Sequence, residues 1–329
     1  MSSSTSNSRQ KAFVVWVFVI LALAWGAVAL MPWGGIVMSQ KTYIDFAQEL
    51  GPETDYLIVG DSKAGPFATD CLIPWLGSER GAVFTADSVT PVFHWYTLRE
   101  IRRRFPEFRP RVVFIFIGAN NMNANGLHAS RDFVFFNQVS LSDAWNLSGA
   151  RGGVLLFAEV VLSRIFPTYG HRVQITHLQF GDRAGRSCPP ITEASYRNEG
   201  SFEFAYVPRD PVADRNYYDI YRRSAYVDYE SSIAQAVALE KLIRLVRDFE
   251  GIPILVLPPV SSEMWALEQE LVGQGFDETI DSIVERTAVE VLDLRDVTEF
   301  EFQDVNHLSS RGAYDVAIKF FQPILEKHP

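Results

Sequence analysis

The runs Tyr56-Leu57-Ile58-Val59 and Val112-Val113-Phe114-Ile115-Phe116-Ile117 carry no polar alternation, so neither suits a strand with one face in water. Strands buried on both faces belong to a parallel sheet between two layers of helices, joined by crossover connections. The rest of the pattern agrees. Strands are expected at 55–59, 82–86, 111–117, 253–257 and 290–294. Helices are expected after Ser62 and over 91–105, 231–250, 262–270, 277–288 and 310–326. The expected fold class is α/β: a three-layer α/β/α body with a five-stranded parallel sheet.

Chemistry-bearing residues follow these strands. Gly60-Asp61-Ser62 comes directly after the first, and Gly60 is placed to let the chain turn sharply there. Gly118-Ala119-Asn120-Asn121 comes directly after the third. Open α/β sheets place ligands at the carboxyl ends of their strands, so the Asn120 amide and Ser62 reach one small volume if the two strands are neighbours. The third stretch, Asp304-Val305-Asn306-His307, precedes the last helix, and its spacing lets one short loop deliver a base and the carboxylate that fixes its tautomer. A serine hydroxyl needs a base, a carboxylate that orients the base, and donors for an oxyanion before it is a useful nucleophile. Taken singly, Ser62 also suits a helix N-cap, Asn120 a turn, and Asp304 with His307 an ordinary loop.

In this order and at these strand ends, the stretches resemble the SGNH (GDSL-type) hydrolase superfamily. Its blocks carry Ser in a GDS turn, Gly in a second block, Asn in a GxND-like third block, and a closing DxxH. The resemblance implies a flavodoxin-like sheet over about residues 54–329, with Ser62 as nucleophile, His307 as base and Asp304 as its orienting partner. It implies an oxyanion hole from the Ser62 N–H, Asn120 and the second block, where Asp87 or Ser88 stands in place of glycine. The third block departs too, with Asn121 where Asp is usual. Asp61 and Asn121 beside the motif, and Arg222 and Tyr226 further on, are candidate substrate contacts.

Residues 1–11 are polar and end in Arg9 and Lys11, and 12–33 carry no charge. About 20 apolar residues cross a bilayer, and positive charge ahead of the span favours a cytoplasmic N-terminus with the body outside. Ala27-Val28-Ala29 offers a cleavable signal peptide as the alternative. Residues 34–53 read as a tether. Cys71 and Cys188 are the only cysteines and leave a disulfide open. No Cys or His cluster indicates a metal, the remaining histidines lack ligand spacing, and no cofactor is expected. A net charge of -10 disfavours nucleic acid as a partner.

An insertion at about 122–229 interrupts the strand–helix alternation. Its second half is rich in aromatic residues and arginine, which suits sugar rings or anions and equally suits a half-buried packing segment. With the span and Pro258-Pro259 after the fourth strand, the architecture resembles membrane-anchored SGNH-like proteins of the alginate-acetylation and D-alanylation type. That resemblance implies an acyl donor, a glycan acceptor, a multi-pass membrane acyltransferase as partner, and O-acyl transfer to an envelope or secreted polysaccharide. A carbohydrate or lipid esterase, and a binding protein without catalysis, stay open beside it.

Overall fold

The computed structural model describes residues 52–67, 80–85, 89–125, 211–297 and 299–328, with scattered positions elsewhere. Within them, β1 (Glu53–Gly60), β2 (Gly81–Thr85), β3 (Arg109–Phe116), β4 (Ile252–Leu257) and β5 (Glu290–Asp293) form one sheet in the order β2-β1-β3-β4-β5. Every pairing is parallel. The helices are α1 (Pro91–Arg104), the short α2 (Ala119–Met122), α3 (Pro211–Ile220), α4 (Ile233–Asp248), α5 (Ser262–Leu271), α6 (Gly275–Thr287), α7 (Ser310–Val316) and α8 (Gln322–Lys327).

Successive residues of a strand point to opposite faces, and here both faces are covered. Leu57, Val59, Val113, Ile115, Leu255 and Leu257 meet Phe93, Leu98 and Ile101 of α1, Leu239, Leu242 and Val246 of α4, and Ile280 and Ile283 of α6. Tyr56, Ile58, Val112, Phe114, Phe116, Ile254 and Val256 meet Ala313, Val316, Phe321 and Leu325 on the other side. The body is α/β with helices on both faces, as the apolar runs require.

β1 lies between β2 and β3, so the chain leaves β1 to one side and later returns to its other side. That reversal opens a crevice at the carboxyl ends of β1 and β3. Ser62 follows β1 and Asn120 follows β3, and Val59 is in register with Ile115. The chain after β1 forms a 3₁₀ turn, Ser62–Phe67. Gly60 does not have a positive φ, contrary to the turn-making role expected of it. Its need is steric, because a Cβ there would stand 2.7 Å from the Phe116 Cβ and 2.8 Å from the Ala64 Cβ.

The single closing helix expected over 310–326 is interrupted. α7 runs into a π-helical turn, Ala317–Phe321, before α8. Pro323 lacks an N–H and crowds the preceding turn, and the wider turn accommodates that. The insertion leaves and returns at one neck. Asn123 bridges Ser231 in antiparallel fashion, Ala124 N donates to the Glu230 carbonyl at 2.7 Å, and Ser232 N donates to the Met122 carbonyl at 2.7 Å.

Among the described residues no helix is long and apolar enough to cross a membrane. Most of 12–33 lies outside them, as do Cys71, Cys188, Asp87 and Ser88. Of the expected span, Phe13, Val15, Trp16, Val19, Ile20 and Leu23 are helical and exposed.

Candidate active site

The loop after β5 is built to present an imidazole. Gln303 N donates to the His307 carbonyl at 3.0 Å, and the bridge between Phe302 and Leu308 closes the loop's base. Ser309 then caps α7, its hydroxyl accepting from Gly312 N at 3.1 Å. Inside the loop the Asp304 Oδ1 accepts from the backbone N–H groups of Asn306 and His307, both at 2.8 Å. The His307 Nδ1 lies 3.0 Å and 2.9 Å from the two Asp304 oxygens. A carboxylate accepts only, so Nδ1 carries the proton and Nε2 is left with its lone pair. That Nε2 stands 2.9 Å from Ser62 Oγ, across 245 positions of sequence.

Burial raises the affinity of Asp304 for a proton. The hydrogen bond and charge of His307 and the two backbone N–H groups outweigh it, and the carboxyl is held below its ordinary value. Asp304 therefore stays ionised through the pH range in which an imidazole takes and returns protons. Tyr217 of α3 packs edge-on to the His307 ring, centroids 5.4 Å apart, and limits how the ring can turn.

Asp61, next to the serine, is an internal strut. Its Oδ1 accepts from Lys63 N at 3.0 Å, and its Oδ2 accepts from Asn120 Nδ2 at 3.1 Å and Asn121 Nδ2 at 2.9 Å. Asn121 is used up inside the protein as well: Nδ2 also donates to the Val89 carbonyl at 2.8 Å, and Oδ1 accepts from Gly118 N at 2.9 Å. Both are among the expected substrate contacts, and in the structure both brace the ends of β1 and β3. Asn120 is fully buried beside them.

Arg222 is half exposed and pairs with Glu270 at 2.9 Å, and the charge of Glu270 raises its guanidinium pKa further. Tyr226 is 1% exposed and packs inside the protein. Its hydroxyl donates to the Glu268 carboxylate and its ring meets Tyr221 edge-on at 5.1 Å.

The residues around the triad that sequence reasoning did not single out are Lys63, Tyr221, Glu268 and Asn306. Asn306 Nδ2 donates to the Tyr221 hydroxyl at 2.6 Å. Burial pushes the Tyr221 phenol well above its ordinary range, and the charges of Asp61, Glu268 and Asp304 push the same way, so it stays neutral. Lys63 Nζ is 3.8 Å from Glu268 Oε1, with both side chains buried. The available signal was a lysine placed directly after a serine at a buried strand end. No protein-family model matches the chain, and no curated protein matches it.

Proposed function

We propose that this protein is an SGNH-type serine acyl-transfer enzyme, anchored through residues 12–33 with its catalytic body outside the cytoplasm, that moves an acyl group, acetyl in the first instance, onto a hydroxyl of an envelope or secreted polysaccharide. The observation that carries the reading is the chain of hydrogen bonds Ser62 Oγ to His307 Nε2 and His307 Nδ1 to Asp304. The position of Ser62 and Asn120 at the reversal point of the sheet supports the family reading, and the exposed apolar helical residues between Phe13 and Leu23 support the anchor.

In this reading Ser62 Oγ attacks the donor's carbonyl carbon as His307 Nε2 takes its proton. The Ser62 N–H and the Asn120 amide hold the oxyanion. The tetrahedral intermediate collapses, the leaving alkoxide recovers the proton from His307, and Ser62 carries the acyl group as an ester. A glycan hydroxyl then gives its proton to His307 and attacks that ester; as the intermediate collapses the Ser62 oxygen leaves and takes the proton back from His307, and the new ester is formed. Water in place of the hydroxyl makes the same site an esterase.

The test uses the full chain in detergent with p-nitrophenyl acetate. Ser62→Ala and His307→Ala are expected to lose turnover by on the order of a million-fold while melting like the wild type. Asn120→Ala is expected to lose about a hundred- to a thousand-fold. Full turnover in Ser62→Ala sinks the proposal. With an oligosaccharide present, acetyl recovered on sugar identifies a transferase, and free acetate alone identifies an esterase.

A further inference from the structure

Ser62 is flanked by two buried side chains of opposite charge. Asp61 is 2% exposed and Lys63 is 3% exposed. The Asp61 carboxylate takes the nitrogen of the Asn120 amide. Lys63 goes to the other side. A Cβ on Gly118 would stand 2.7 Å from Lys63 Nζ and 2.6 Å from Asn120 Oδ1, so the ammonium and the amide oxygen border the same space over the Gly118 Cα. Neither atom has a hydrogen-bond partner among the described residues.

An ammonium has three donors and no acceptor, and an amide offers a donor face and an acceptor face. With a carboxylate at one end and an ammonium at the other, only one orientation of the Asn120 amide is favourable. Turning it over would aim oxygen at Asp61 and N–H groups at Lys63, two repulsions in a poorly screened interior. Glu268 at 3.8 Å and the Tyr221 ring at 5.8 Å hold the ammonium in place without engaging the amide. Tyr226 in turn fixes Glu268 by hydrogen bonding to its carboxylate.

We propose that Lys63 is a positioning residue that, with Asp61, clamps the Asn120 side-chain amide in one orientation, so that nitrogen and never oxygen is presented at the Asp61–Ser62 turn. This rests on the acyl-transfer reading, in which that nitrogen holds the oxyanion. Lys63 touches no substrate in this scheme. It acts through Asn120.

The test is a double-mutant cycle on the full chain in detergent, with p-nitrophenyl acetate as probe. Lys63→Met is expected to lower kcat by about ten-fold with KM within about two-fold, as for a contact that acts on one neighbour. Added to Asn120→Ala, it is expected to cost nothing further. A wild-type kcat in Lys63→Met, or losses that multiply in the double variant, overturns the inference. Because Lys63→Met leaves Glu268 buried and uncompensated, Lys63→Met/Glu268→Gln is made alongside it and judged by the same two criteria. Turnover retained in Ser62→Ala removes the acyl-transfer reading instead, and the two failures are told apart by which variant is silent. A second readout needs no turnover. The Asn120 side-chain ¹⁵N–¹H₂ pair is expected as two sharp, slowly exchanging signals in the wild type that shift and broaden in the lysine variants. An unchanged pair there overturns the clamp.

Discussion

At Gly118 the absence of a side chain matters for what surrounds it. A methyl group would press on both Lys63 Nζ and Asn120 Oδ1, so Gly118→Ala is expected to displace the amide. Displacements of about 1 Å near reacting groups cost on the order of a hundred-fold in rate, and overpacking costs about 1–3 kcal/mol in stability. Gly65→Ala is the control, since nothing lies within 4 Å of its added Cβ. Ester turnover and thermal unfolding of the two variants check this; equal behaviour would contradict it. Ser62, Asp304 and His307 were legible in the sequence because each sits at a punctuated strand end or within one short loop. Lys63 and Glu268 were not, because a lysine and a glutamate on exposed helices look the same as these two. Tyr226 and Arg222 were both read as candidate substrate contacts in a segment that equally suited half-buried packing, and burial separates them, which no local pattern shows.

Among the elements, the strands were the easiest to read, since a run buried on both faces leaves no polar alternation to confuse its period. The neck of the insertion was invisible for the opposite reason, because it joins segments more than a hundred positions apart. Its keystone is Asn123, 1% exposed. Its Nδ2 donates to the carbonyls of Ala225 at 2.8 Å and Val227 at 3.2 Å, and its Oδ1 accepts from Asn125 N at 3.1 Å and Glu230 N at 3.2 Å. Asn123→Ala strands the buried Ala225 carbonyl, at about 1–3 kcal/mol, and three part-buried backbone groups at less each. It is expected to lower the unfolding midpoint, while Asn125→Ala, on the exposed side, does little. A wild-type midpoint in Asn123→Ala would show that the neck is held by other bonds.

For the molecule as a whole, the buried His94 sets a pH dependence. Burial lowers its pKa from 6.5 to about 4, opposed by the Asp61 charge, and the imidazole is neutral in the fold. The unfolded chain binds that proton at about 6.5, so between 6.5 and 4 the unfolded state holds more protons and stability falls as pH falls. The loss over that window is on the order of 3 kcal/mol and then levels off. Asp304, whose pKa is depressed, contributes stability that disappears only below the ordinary carboxylate range, so the two windows are separate. Urea unfolding from pH 7.5 to 4 is expected to show this slope and His94→Gln to flatten it; identical slopes would assign the effect elsewhere. One further consequence concerns timing. The hydroxyl of Ser62 lies near the start of the body, and its imidazole arrives from the final loop, 245 positions later. A ribosome must therefore add 245 residues after Ser62 before its hydroxyl can meet that imidazole, and products that stop short of Asp304 leave the hydroxyl without this neighbour.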